Sequence, residues 1–116
     1  MKKLDMVPWP SGRSKGLLVL AETAIALERR LDIEFDRNED QLGRVWTYGA
    51  SLESGAVFEM SWRPDLTDTG VSVSVDDRER DRAVLRDVVE ALSLRESGSV
   101  SWLSPDIIWW TQVPGV

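Results

Sequence analysis

Three carboxylates alternate along the short stretch LDIEFD. Asp32, Glu34 and Asp36 occupy every second position, and in an extended strand side chains at this spacing share one face, about 7 Å apart. Two such carboxylates could hold a divalent cation or act as an acid and a base. Metal sites usually collect ligands from several elements, however, so we interpret the pattern as the charged face of an amphipathic strand.

The residue types that are missing exclude more chemistry than this motif suggests. The chain has no histidine and no cysteine, which excludes the Ser-His-Asp triad, the usual zinc ligands, thiolate catalysis and disulfides. Carboxylate chemistry and Ser-Lys pairing remain. Ser14 and Lys15 lie in SGRSKG, which shares its glycines with phosphate-binding loops but lacks the G-x-x-x-x-G-K-[ST] spacing. We therefore expect no enzymatic activity, no cofactor and no metal.

Hydrophobic periodicity predicts the elements that would position these residues. Apolar residues recur at helical spacing from Arg13 to Leu31, which predicts a first helix. A second helix follows Val75, with Asp76 or Asp77 as its cap. Between the helices, apolar and polar residues alternate in four segments that we predict to be strands. These segments are residues 31–36, 45–50, 57–63 and 71–76.

Short connections rich in turn-forming residues predict that these strands form an antiparallel meander. The expected fold is α+β, with a four- to five-stranded antiparallel sheet, two helices packed on one face and the element order α-β-β-β-β-α-β. One domain spans residues 1–116, with an N-terminal arm over residues 1–16 and the α+β body over residues 17–116. The second face of the sheet, which includes Glu59, would be polar and open.

The C-terminal segment SPDIIWWTQVPGV raises a different question. Its β-branched and aromatic residues favour a strand, although Ser-Pro-Asp also suits a helix start. A strand would direct Trp109 and Trp110 to opposite faces, and a sheet with one covered face cannot bury both. We expect one of them to anchor a protein contact, as tryptophan often does. The alternative is a core closed by large rings.

Negative charge is concentrated in the middle of the chain. Residues 32–68 hold three basic and nine acidic side chains, a net charge of −6 that equals that of the whole chain. Neighbouring carboxylates repel each other, and a basic partner would relieve that repulsion. The same charge argues against nucleic acid and anionic membranes as partners. The alternative is a solvated surface that keeps the protein soluble.

Together these features predict a non-enzymatic intracellular protein-binding module, located in the cytoplasm, whose acidic sheet face binds a basic partner protein. In size, charge and lack of catalytic residue types the chain is similar in kind to immunity or antitoxin proteins, which cap a basic toxin, and to secretion chaperones, which hold an effector. Two alternatives stay open: a homodimeric structural or chaperone-like protein that uses the C-terminal Ile and Trp residues, and, less favoured, a small carboxylate-based metal-dependent enzyme. The predicted contact residues are Asp32, Glu34, Asp36, Glu39, Asp40, Glu59, Trp109 and Trp110.

Overall fold

Seven strands and two helices form the part of the chain that a computed structural model describes, namely residues 1–66, 70–94 and 100–103. The α+β class, the antiparallel sheet and the two helices are confirmed, but the element order is β-β-α-β-β-β-β-α-β. In chain order the elements are β1 (Lys2–Leu4), β2 (Ser14–Leu20), α1 (Ala24–Leu31), β3 (Asp36–Asp40), β4 (Gly43–Ser51), β5 (Val57–Trp62), β6 (Val71–Asp76), α2 (Arg82–Ala91) and β7 (Val100–Leu103).

The strands pair side by side in the order β4-β5-β6-β2-β7, and every pairing is antiparallel. The consecutive strands β4, β5 and β6 form the predicted meander. Two further strands lie end to end along the outer edge of β4. β1 pairs with Gly49–Ser51, and β3 pairs with Gly43–Thr47. Seven strands thus occupy six positions across the sheet, more than the four or five that we predicted.

One face of the sheet carries the hydrophobic core. Phe58 of β5 pairs with Ala50 of β4 and Val75 of β6, and all three side chains are fully buried. Leu27 of α1 and Leu85 of α2 belong to the same cluster of buried side chains. Both helices therefore cover this face, and each fully buried Leu or Phe side chain contributes about 1.5–3 kcal/mol relative to an exposed one.

The prediction of a helix from Arg13 to Leu31 is wrong over its first half, because these residues form the strand β2. This strand lies between β6 and β7, and its register shifts between Gly16 and Leu18. Because of this irregularity, both Leu17 and Leu18 are fully buried, as is Leu20. A bulge places consecutive apolar residues inside, and their spacing resembles one turn of a helix.

The strand predicted over residues 31–36 is also wrong. α1 continues to Leu31, and Asp32 follows it in the left-handed conformation, at φ 54°, with its N–H donating to the carbonyl oxygen of Glu28. This is a common way to end a helix. Phe35 is nevertheless buried, at 2% exposure. The alternation of apolar residues thus comes from a helix end and a turn that both pack on the core.

The N-terminal arm does not stand apart from the body. After β1 the chain must travel from the β4 edge to β2, on the far side of β6. A Cβ atom on Gly49 would lie 2.5 Å from Val7 Cγ2 and would point away from the core, because the flanking Tyr48 and Ala50 are buried in it. Residues 5–13 therefore cross the outer face of the sheet, which we predicted to be open. We call this segment the strap.

Asp76, at the end of β6, fixes the far end of the strap. One carboxylate oxygen of Asp76 accepts hydrogen bonds from Ser11 N and Ser11 Oγ, both at 2.9 Å, and the other accepts from Arg78 N at 3.0 Å. These donors lower the pKa of the Asp76 carboxyl. The cap of α2 is Asp81 instead, whose carboxylate accepts from Ala83 N at 2.9 Å.

Candidate protein-binding surface

Five acidic residues line the chain between the end of α1 and the tip of the β3–β4 hairpin. We call this surface the acidic edge, since β3 pairs with β4 and with no other strand of the described part of the chain. Residues 37–40 are all exposed. The structure therefore keeps these five predicted residues together, but along a turn and an edge strand instead of on one sheet face. They are Asp32, Glu34, Asp36, Glu39 and Asp40.

A single carboxylate on α1 sets the direction in which β3 leaves the helix. Glu28 accepts hydrogen bonds from Phe35 N at 2.7 Å and from both terminal nitrogens of Arg37, at 2.7 and 3.1 Å. The Arg37 guanidinium also lies over the ring of Trp46, 3.5 Å from its centroid. Paired in this way, Arg37 lowers the pKa of the Glu28 carboxyl. The positive charge of Arg37 is thus turned toward the body of the protein, where Glu28 balances it.

Two members of the acidic edge are held by cations of the same chain. Asp36 accepts a hydrogen bond from Lys3 Nζ at 2.8 Å, which ties β1 to β3. Asp40 forms a bidentate salt bridge with Arg63, the residue that follows β5. This pairing holds the pKa of the Asp40 carboxyl below its usual value. These two residues therefore brace the hairpin.

The other three members, Asp32, Glu34 and Glu39, are exposed and form no salt bridge within the described ranges. The pKa of Lys3 is raised mainly by its hydrogen bond to Asp36 and that of Arg37 mainly by its hydrogen bond to Glu28, and the charge of Glu34 adds a smaller effect on both. Glu39 stands opposite Arg44 in the hairpin register, but the guanidinium of Arg44 pairs with Asp65. These three carboxylates are available to a positive group from outside.

Glu59 does not belong to this surface. It lies on the outer face of β5, opposite Gly49, and thus beside the position where the strap crosses the sheet. Its side chain is partly buried, and burial raises the pKa of its carboxyl. The open acidic face that we predicted is therefore partly covered, and the structure does not bring Glu59 together with the other five predicted acids.

The structure also contains an acidic concavity that sequence reasoning missed. Glu53, in the β4–β5 turn, faces Asp87 and Glu90 of α2 across a depression of about 500 Å³. The spacing of Asp87 and Glu90 places them on one side of the helix, but no local pattern connects them with a turn more than 30 residues earlier. Trp109 and Trp110, the predicted anchors, lie outside the described residues.

Two absences concern only the described residues. No group of three or more acidic side chains among them is arranged to hold a metal ion. Neither α1 nor α2 has the length and apolar composition needed to cross a bilayer. Comparison of the chain with known protein families, with characterised proteins and with solved structures found no match.

Proposed function

We propose that this chain is a non-enzymatic protein-binding module that contacts a basic partner protein through the acidic edge, in the manner of immunity proteins, antitoxins or secretion chaperones. The proposal is carried by one observation. Among the described residues, Glu34, in the turn before β3, and Glu39, within β3, form no salt bridge. They lie beside Asp36 and Asp40, which the protein's own cations Lys3 and Arg63 already pair. Unbalanced surface carboxylates attract a cationic protein and speed its association.

The internal salt bridges make this surface rigid before it meets a partner. Lys3 and Arg63 hold the two ends of β3, while Glu28 and Arg37 join it to α1. A preformed surface loses less conformational entropy on binding than a flexible one. These ion pairs therefore hold the hairpin, and with it the exposed carboxylates, in one position.

The test compares two double charge reversals in the full chain. Glu34→Lys with Glu39→Lys changes the acidic edge without touching the residues that brace it. The matched control, Glu53→Lys with Glu90→Lys, makes the same change in net charge at the acidic concavity. A basic protein is first captured from the native host with the wild-type chain, purified, and then titrated against all three proteins by calorimetry.

We expect the edge variant to weaken the affinity at least tenfold and the control variant to change it less than threefold, because each fully engaged charge pair contributes on the order of 1.5 kcal/mol or more. Wild-type binding should also weaken as ionic strength rises. Equal affinities for the wild type and the edge variant would show that the acidic edge is not the contact.

A further inference from the structure

The outer edge of β3 has the hydrogen-bonding groups of a sheet but no strand beside it. Along its inner edge the strand is paired from Asp36 to Asp40 with β4. Along its outer edge, no backbone group of these five residues has a hydrogen-bond partner in the described part of the chain. In an antiparallel pair, alternate residues direct their N–H and C=O groups away from the partner strand. A strand of this length, about 17 Å, can therefore receive an added strand.

The side chains of β3 determine what kind of strand would fit. Asp36 stands opposite Thr47, on the outer face of the sheet, and Asn38 donates a hydrogen bond to Thr47 Oγ1 at 3.2 Å. Because side chains alternate, Asp36, Asn38 and Asp40 share this outer face. Asp36 accepts only from Lys3, on one oxygen, so acceptor positions remain on its carboxylate. Asp40 is more fully used, since it accepts from both terminal nitrogens of Arg63 and from Leu42 N. Positive side chains at every second position of an added strand would lie opposite these acceptors.

A second copy of this chain is a poor occupant of the same edge. Symmetric antiparallel pairing of two β3 strands about Asn38 would place Asp36 of each copy opposite Asp40 of the other, and like charges directly opposite each other destabilise a sheet. The same register would place Arg37 opposite Glu39, but Arg37 is already engaged by Glu28 of its own chain. Charged residues on edge strands commonly prevent such self-pairing. The charges that exclude a second copy favour an extended segment with positive side chains.

From this geometry and charge we propose that the partner adds an extended basic segment to the sheet as a new strand along β3. This inference rests on the proposed function and specifies how the acidic edge is used. It differs from simple charge attraction in one respect: the added segment must supply backbone N–H and C=O groups. Its binding therefore depends on the peptide backbone as well as on the lysine or arginine side chains.

The test uses two synthetic peptides with the same side chains. The first alternates lysine and valine over seven residues, and the second is the same peptide methylated at every backbone nitrogen, which keeps the positive charges and removes the donors. Each is titrated into the full chain while the backbone amide signals of residues 36–40 are followed by NMR. We expect the unmodified peptide to bind at least tenfold more tightly and to shift these signals most.

The remaining outcomes would overturn strand addition in distinguishable ways. Equal binding of both peptides would leave charge attraction at the acidic edge, and with it the proposed function, but would refute backbone pairing. Signals that shift elsewhere in the sheet would place the added strand on another edge. Failure of both peptides to bind at millimolar concentration would refute strand addition by a basic segment, while the double charge reversals still test the proposed function independently.

Discussion

At the junction between α1 and β3, one carboxylate satisfies three donors. Glu28 binds Phe35 N and both terminal nitrogens of Arg37, and its side chain is only 16% exposed. Hydrogen bonds to a charged group are stronger than neutral ones, and an unpaired partner left behind is costly. The acidic edge therefore depends on a residue that is not part of it.

The Glu28–Arg37 pair predicts how the free energy of unfolding depends on pH. Because the pKa of Glu28 is lowered from its usual 4.5 in the folded protein, its contribution to stability is fully present above that value and is lost as the pH falls through the lowered pKa. We expect Glu28→Gln to reduce the free energy of unfolding at pH 7 by about 1–2 kcal/mol. The decline of stability between pH 5 and pH 2 should be shallower in the variant than in the wild type.

Urea denaturation across this pH range measures both effects. Glu90→Gln serves as the control, since Glu90 is exposed on α2 and forms no salt bridge within the described residues, so its substitution should cost little stability at pH 7. Parallel profiles for the wild type and Glu28→Gln would show that the Glu28 pair contributes nothing to the pH dependence of folding.

Among the elements, the strap depends on close contact with the sheet at a glycine. Gly49 leaves room for Val7, which is 7% exposed, and Asp76 holds Ser11 at the other end. A side chain at position 49 would occupy the space of the Val7 methyl group. The glycine is thus required by the close packing of the Val7 side chain on the outer face, not by an unusual φ angle of its own.

Gly49→Ala should therefore detach the strap while leaving the core intact. We expect the Ser11 amide, which donates to Asp76, to exchange its hydrogen at least tenfold faster, whereas amides of β5 stay protected. The double variant Gly49→Ala with Val7→Ala removes the clashing methyl group and should restore much of the protection. Unchanged exchange at Ser11 in the single variant would contradict the role of Gly49.

The sequence predicted the regular elements better than the irregular ones. Burial alternates along β5 and most of β6 because one face of each packs on the core. In β4 the strap also buries Gly49 on the other face, but the apolar residues still alternate enough that all three predicted strands agree with the structure. β2 was misread because its irregularity buries Leu17 and Leu18 together. β1, with three residues and one partner, carries no periodic signal at all.

The candidate surface could be predicted in composition but not in geometry. The run of acids from Asp32 to Asp40 was visible in the sequence, yet their arrangement was not, because it depends on the left-handed end of α1 and on contacts between distant residues. Lys3 reaches Asp36 across 33 positions, and Arg63 reaches Asp40 across 23. Glu59 was predicted to lie on an open face for the same reason, since only the path of the strap shows that this face is partly covered.

For the molecule as a whole, both helices and the central strands share one core, so they should unfold together. Phe58 is fully buried in the middle of this core, between Ala50 and Val75. We expect Phe58→Ala to reduce the free energy of unfolding by about 3–5 kcal/mol. Its transitions by circular dichroism, which follows the helices, and by tryptophan fluorescence should shift to lower denaturant by the same amount.

The neighbouring residue provides the matched control. Val57 is only partly buried, and its side chain points to the opposite face from Phe58. Val57→Ala should therefore cost much less than Phe58→Ala. A Phe58→Ala variant whose two optical transitions separate would indicate that the helices and the sheet are independent folding units.

The position of β2 in the sheet also constrains how the chain can fold during synthesis. This strand is made early, but its partners β6 and β7 begin at residues 71 and 100. While the chain is still emerging from the ribosome, the leucines of β2 have no sheet to join, and contacts between residues so far apart in sequence form slowly. Nascent chains that stop short of β6 would therefore expose this apolar stretch to chaperones and to aggregation.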